Sequence, residues 1–300
     1  MQRSTQRLAI QIGTVVLVLT LVGVLFNNLA VNLLRTGLGL SFDWLSRPAG
    51  FALAESSLAY QPSDNYSWAL LMGWLNSLKV IVAGLITATA LGVMAGAARC
   101  SINPFLRGLS AFYVGLVRQI PLLLQLLFWY FVALLGLPQQ NPSPLGSILS
   151  FTNQGIAVLG IHLSVEFTAV LLGLSVFTGA SIAEVVRGGL DSVPRGQWEA
   201  FRSLGLSEGM GLRRVVLPQA LPAIIPGLSS QYLNLAKNST LAIAVGYADI
   251  YAVSDTTITQ TGRAIEGFLL LLLSFLLLNL LINAGMQLMN RAVIQPRQRS

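Results

Sequence analysis

Runs of about twenty apolar residues constrain this chain more than any other feature, because that length of helix crosses a bilayer. Six such runs can be marked, near residues 8–26, 71–98, 111–136, 162–186, 220–246 and 267–289. With 54% hydrophobic and 10% charged residues and a mean hydropathy of +0.70, the composition does not fit a water-exposed surface. The expected fold class is all-α, a polytopic membrane protein of about six transmembrane helices. Arg3 and Arg7 ahead of an apolar run can mark a signal peptide, but 8–26 is too long and no small-residue cleavage site follows. It reads as an uncleaved first span.

A net charge of +7 raises the question of nucleic acid, and the placement of the charges answers it. Only two of the eighteen basic residues are Lys. Twelve arginines (Arg3, Arg7, Arg99, Arg107, Arg187, Arg195, Arg202, Arg213, Arg214, Arg291, Arg297 and Arg299) fall at the chain ends and in alternate loops. This is the positive-inside pattern rather than a basic face, so no nucleic-acid partner is expected. It puts both termini and the loops 99–107 and 187–218 in the cytoplasm, with Asp43, Glu55, Asp64, Asp249, Asp255 and Glu266 on the outer side. Three parts follow: 1–70, a first span with a long outer loop; 71–290, the transmembrane core; and 291–300, a cytoplasmic tail. In the outer loop, Phe42, Trp44 and Trp68 read as interfacial anchors, with a docking surface for an external partner as the alternative. The lone Cys100 excludes an intramolecular disulfide.

Polar residues inside the runs are the candidates for function. Lys79 can snorkel to the outer interface and needs no further role. In the third run Pro121 removes a helix hydrogen bond and restricts Ile120, predicting a kinked span. Arg118 and Gln125 then either line a path or, for Gln125, bond a neighbouring helix. His162 and Glu166, four apart, read as an interfacial polar pair, since no third metal ligand stands near; no metal site is expected. Glu184 and Arg187 read as a structural ion pair at the inner end of the fourth span. In the fifth span Ser230, Gln231, Asn234, Lys237 and Asn238 fall within about 120° of one helical face. That face suits a solute carrying a carboxylate and polar atoms, or a contact with a partner subunit.

Between the fourth and fifth runs lies a charged island, residues 187–218. Within it Glu199-Ala200 is followed by Gly205 six residues after the glutamate, then nine residues, then Val215-Val216-Leu217-Pro218. Gly205 should end one short helix, Ser207 should cap a second that carries Arg213 and Arg214, and Pro218 should precede the next span. This spacing resembles the Glu-Ala-Ala coupling loop of the permease subunits of ABC importers. Phe201 in place of the second Ala and Val215 in place of Ile depart from the family pattern but keep an apolar surface. Further stretches resemble the branch importing polar and general L-amino acids: 118–125, 177–199, Tyr232-Leu233-Asn234 and Lys237-Asn238-Ser239-Thr240-Leu241, with Phe42-Asp43-Trp44 outside.

The resemblance implies a type I ABC importer permease fold in a bacterial cytoplasmic membrane. Glu199, Ala200, Phe201, Gly205, Leu217 and Pro218 would engage a cytoplasmic ATPase. Ser230, Gln231, Asn234, Lys237, Asn238, Arg118 and Gln125 would line the substrate path. The implied partners are a second permease subunit (a paralogue or a second copy), two ABC ATPase subunits, an outer solute-binding protein and an amino-acid substrate. No Gly-x-x-x-x-Gly-Lys-Ser/Thr loop occurs, so no catalytic residues and no cofactor are assigned here, and ATP with Mg is used by the partner. Three other readings stand beside this one: an ABC permease for another solute, a secondary transporter with Pro222 and Pro226 breaking the fifth span, and an intramembrane enzyme. The lack of a convincing internal repeat tells against the second. A single His, a single Cys and no Gly-x-Ser-x-Gly tell against the third.

Overall fold

The structure, a computed structural model, describes residues 2–36, 39–137, 149–158 and 161–294. The chain divides after Leu45 into two units. The first holds the long helix α1 (Gln2–Thr36), whose apolar window Gln11–Asn28 has no buried residue. The second unit begins with a closed loop, residues 46–65. Backbone bonds from Ala49 N to Asp64 O (2.7 Å), Gly50 N to Pro62 O (2.9 Å) and Tyr66 N to Arg47 O (3.0 Å) zip its base. This half of the expected outer loop is therefore part of the packed body.

Helices α2 (Tyr66–Arg99) and α5 (Val165–Asp191) form the central pair. In lipid, side chains gain little by leaving hydrocarbon for a neighbour of the same polarity, so close van der Waals packing has to hold helices together. The sequence provides for this with Gly92 and Gly96, one turn apart on α2. A Cβ at Gly96 would stand 2.7 Å from Val186 Cβ, and one at Gly92 would run into Ile182. Around this seam α5 buries Phe167, Val170, Leu174, Ile182, Val186 and Leu190. Helix α8 (Leu217–Asn238) adds Ala220, Ile224, Ile225, Leu228 and Leu235, and α10 (Ala264–Ile294) adds Leu278 and Met286. The outward residues of α10, among them Leu272, Leu276 and Leu280, stay exposed as lipid-facing residues do.

Polar layers join α2 to α5 at both ends of the seam. At one end the Glu55 carboxylate meets the Lys79 ammonium and accepts from Ser164 Oγ. At the other, Glu184 bridges Arg99 and Arg187, the latter at 3.0 Å, and Arg187 reaches Asp191 at 2.6 Å. Lys79 to Arg99 and Ser164 to Glu184 are each twenty residues, about 30 Å of helix, which is the thickness of the hydrocarbon core. The expected Glu184–Arg187 pair is present, enlarged by an arginine from the neighbouring helix.

Among the described residues four helices are long and apolar enough to cross a membrane, and a bent pair makes up to five. The pair is α3 (Pro104–Gln119) and α4 (Leu122–Leu127), the latter continued by a π-helical segment Phe128–Leu134. The two halves meet at 105°, so Ile120-Pro121 is a break rather than the kink expected. Pro121 cannot donate, which strands carbonyls at the end of α3. The side-chain amide of Gln125 donates to Val117 O (2.9 Å) and Ile120 O (3.0 Å) and satisfies them. The remaining run of the six expected is α8, whose seven polar side chains between Gln219 and Asn238 lower its hydropathy. Pro222 and Pro226 lie inside α8 without interrupting it. Its end winds into a 3-10 segment, Ser239–Val245, and α9 (Ile250–Thr261) follows.

A three-stranded antiparallel sheet precedes α5: β1 (Leu149–Thr152), β2 (Gly155–Val158) and β3 (Ile161–Ser164). It stands as a small exception to the all-α expectation. The segment 138–153 between the third and fourth apolar runs lies partly outside the described residues, and its described part forms β1 and the turn to β2. His162 belongs to β3 rather than to the fourth span, so it does not share a helical face with Glu166; Glu166 instead accepts from Tyr130 Oη at 3.4 Å. Among the described residues no group of three His, Cys, Asp or Glu is placed to hold a metal ion.

Candidate functional site

Residues 191–218 fold into a knob beyond the end of the α2–α5 seam. Helix α6 (Arg195–Ser203) ends in a Schellman turn. Gly205, at φ +71°, donates to Arg202 O at 2.9 Å, and Leu206 N donates to Phe201 O at 3.1 Å. Only glycine adopts that left-handed conformation without strain, which is the physical reason for Gly205 six residues after Glu199. The chain then enters α7 (Glu208–Gly211), continued by a π-helical turn Leu212–Val216 into α8. Ser207 occupies the N-cap position, but its side chain makes no capping bond; the turn is closed by Gly211 N donating to Ser207 O at 2.8 Å.

Phe201 is 1% exposed, which corrects its expected place on the docking surface. Its ring lies against Gly211, where any Cβ would overlap it, and against Trp198 at 5.9 Å between centroids. A large side chain on α6 thus fits a missing one on α7. Arg202 closes the other side, its guanidinium 5.5 Å from the Phe201 ring and its Nε donating to Glu208 at 2.8 Å. Gln219 donates to Gln197 Oε1 at 3.2 Å and ties α6 to the foot of α8. With the inner side filled this way, the knob presents Glu199, Ala200, Ser203, Leu204 and Met210 outward. Leu204, at 77%, is the most exposed large apolar side chain among the described residues. Leu217 and Pro218 are half-buried at the start of α8.

On α8, Ser230, Asn234 and Lys237 are exposed in one line, continued toward the knob by Ala223 and Pro226. Gln231 and Asn238 flank the line, half-buried. Among the described residues the side chains of all five polar groups make no hydrogen bond. Tyr232 turns the other way and shares a 2.7 Å hydrogen bond with Thr89 of α2. An open apolar groove of about 640 Å³ runs beside it, lined by Leu85, Ile86, Val93 and Met94. Arg118 is exposed at the end of α3, where its charge complements the helix dipole. Gln125 is buried and engaged in closing the break, so its amide faces the α3 terminus rather than a solute. Two pairings escaped the sequence reading: Arg99 with Glu184, which completes that cluster, and Glu55 with Lys79.

Residues 88–295 match the family model of the binding-protein-dependent transport system inner membrane component. The chain is 34% identical to the putative amino-acid ABC transporter permease protein YhdX of Escherichia coli K12, over 94% of this chain and 93% of that protein. It is also 34% identical to the general L-amino acid transport system permease protein AapQ of Rhizobium johnstonii, over 85% and 84%. Among solved structures, an amino acid ABC transporter crystallised with histidines superposes with a TM-score of 0.58 at 25% identity, over 76% of this chain and 95% of the other. The family match over residues 88–295, and the identity to these relatives along most of both chains, place this chain in the family of inner membrane components of binding-protein-dependent transport systems.

Proposed function

We propose that this chain is the permease subunit of an ATP-driven amino-acid importer, forming the translocation path and coupling it to a cytoplasmic ATPase through residues 187–218. The observation that carries this reading is the internally packed knob with Glu199, Ala200 and Leu204 turned outward beyond the end of the α2–α5 seam. Amino-acid cargo is supported by the names of the relatives and by the α8 polar line ending in Lys237. The chain ends and the knob then lie in the cytoplasm of a bacterial inner membrane. The parts are those read from the sequence: 1–70, 71–290 and 291–300. The working complex has a second permease subunit, this chain or a paralogue, two ATPases that bind ATP and Mg, and an outer binding protein.

ATP-driven closure of the ATPases moves the knob, and the knob carries α5 and α8 as levers, so the path opens alternately to each side. Ser230, Asn234 and Lys237 meet the cargo, with Gln231 and Asn238 beside them. Arg118 stands at the break that Gln125 holds in shape. Lys237 faces the carboxylate. A second reading, favoured by the exposed Ala223 and Pro226 that continue the polar line, is that part of this face packs against the other permease subunit.

The test is co-purification of the ATPase with Glu199→Lys and Gly205→Pro variants. Both should insert normally and recover much less ATPase than the parent; equal recovery removes the coupling assignment. A panel of amino acids with the matching binding protein then reads cargo, through stimulated ATP hydrolysis. A complex that responds to another solute class and to no amino acid fits the alternative, an ABC permease for that solute.

A further inference from the structure

The path described above makes no use of Glu55 and Lys79. The loop 46–65 is closed at its base and lowers its tip onto three elements at once. The Glu55 carboxylate binds Lys79 of α2 and accepts from Ser164 Oγ, the N-cap of α5. The backbone carbonyl of Glu55 accepts from the Asn76 side-chain amide at 2.9 Å, and that amide also donates to Ala248 O at 2.9 Å. Ser57 Oγ donates to Asn76 Oδ1 at 2.8 Å. The tip is therefore fastened to α2, α5 and the turn before α9, at the end of the helical body opposite the knob.

An ion pair is a costly fastener here. Desolvating two charges offsets much of their attraction, and an apolar contact would hold the loop as well. The pair is also reachable: the Lys79 side chain is 37% exposed and that of Glu55 17%. The Lys79 ammonium stands 4.5 Å from the centre of the Phe167 ring, so one wall of its site is aromatic and fixed. Phe167 packs in turn on Tyr247, 6.0 Å away, just past the 3-10 segment in which α8 ends. Lifting the tip would separate the charges and leave a cation on α2, held only by the Phe167 ring, and an anion on the loop, each without its counter-charge. A solute with an ammonium and a carboxylate on one carbon supplies both missing partners. A solute with one charge supplies one.

We infer that Glu55 and Lys79 form the outer gate of the transport path and a binding site for the zwitterionic head of an amino acid, whose two charges replace the pair's own contact when the loop lifts. This rests on the importer reading, with the knob end cytoplasmic. It gives recognition of the α-amino and α-carboxylate groups without regard to the side chain.

The test uses the assembled permease–ATPase complex in nanodiscs and reads ATP hydrolysis first without the binding protein. Lys79→Met should raise this basal rate several-fold, because the closed gate has lost its latch. The exchanged variant, Glu55→Lys with Lys79→Glu, should return it toward the parent value. L-glutamine, at millimolar concentration without binding protein, should stimulate the parent more than glutaramate, which lacks the ammonium, or 4-aminobutanamide, which lacks the carboxylate. Lys79→Met should reduce the preference for L-glutamine over 4-aminobutanamide by about tenfold, the worth of one charge-assisted contact. Unchanged basal hydrolysis and unchanged preference in Lys79→Met overturn the gate. If Lys79→Met does not assemble, an assembled exchanged variant with parental rate and preference supports the pairing, and one with parental rate but no preference for L-glutamine over either analogue overturns the zwitterion site. A parent complex that no amino acid stimulates, even with binding protein, fails the cargo reading instead, while the basal rates still judge the latch.

Discussion

Truncating Phe201 is the sharpest perturbation of the knob, because its ring fills the space that Gly211 leaves. At 1% exposure the ring is enclosed, and Phe→Ala at such a site costs about 3–5 kcal/mol. Most residues around the ring in α6 and α7 are exposed, so the knob can relax into the gap and the low end, about 3 kcal/mol, applies. That corresponds to about a hundredfold rise in the population of opened knob. Gly211→Ala attacks the same contact from the other side: its Cβ overlaps the ring, an overpacking cost of about 1–3 kcal/mol. Combining Gly211→Ala with the smaller Phe201→Leu should recover part of each loss, since the residues share one space. The assay is trypsin cleavage at Arg202, Arg213 and Arg214 in inside-out vesicles, in the regime where cleavage follows the opened population. Phe201→Ala should be cut far faster than the parent and should recover less ATPase. A parental cleavage rate, or strictly additive losses in the double variant, would refute the idea that the Phe201–Gly211 fit keeps the knob rigid.

Glu184→Gln leaves Arg99 and Arg187 facing each other without their shared carboxylate; as the groups are a fifth to a third exposed, the loss should be about 1–3 kcal/mol, read as a lower melting temperature of the complex in detergent. Asp249, the N-cap of α9 in the turn before it, has its carboxyl pushed up from 3.8 to about 7 by burial, opposed by backbone hydrogen bonds from Ala252 and its neighbours. The folded state then holds a proton that the unfolded chain has lost, so the contribution of this group to stability is fullest below about pH 4, falls as pH rises to about 7, and is level above. Asp249→Asn keeps the cap and should flatten that slope; an unchanged slope places its origin elsewhere.

Much of this architecture is legible in the sequence because lipid makes simple demands. The runs of Leu, Ile and Val announce α2, α5 and α10, and Gly205 announces the end of α6 through a conformation other residues avoid. Pro121 likewise marks the place where α3 stops. What the sequence hides is tertiary: Gln125 caps a helix whose last carbonyls are exposed only because the break is sharp. Phe201 reads as surface until Gly211, ten residues on, is seen to leave room for it. Glu55 and Lys79 lie 24 residues apart, and Arg99 and Glu184 lie 85 apart, so neither pair has a helical period to betray it. The sheet 149–164 was obscured for a related reason: His162 and its apolar neighbours extend the following helical run and read as its first turn. The α8 polar face stands between these cases, since its period places Ser230, Asn234 and Lys237 together, and the fold adds only that all three are exposed.

The claim on which the rest depends is that the knob is a cytoplasmic handle gripped by an ATPase. Leu204, exposed at its tip, tests it most directly as Leu204→Cys, with Cys100 replaced by Ser to leave a single thiol. In membranes containing the whole complex, a short bifunctional maleimide–amine reagent should join this thiol to the ATPase subunit, and an impermeant maleimide should reach it only from the cytoplasmic side. A thiol labelled from the outer face, or one on the cytoplasmic side that never joins the ATPase, would contradict the account.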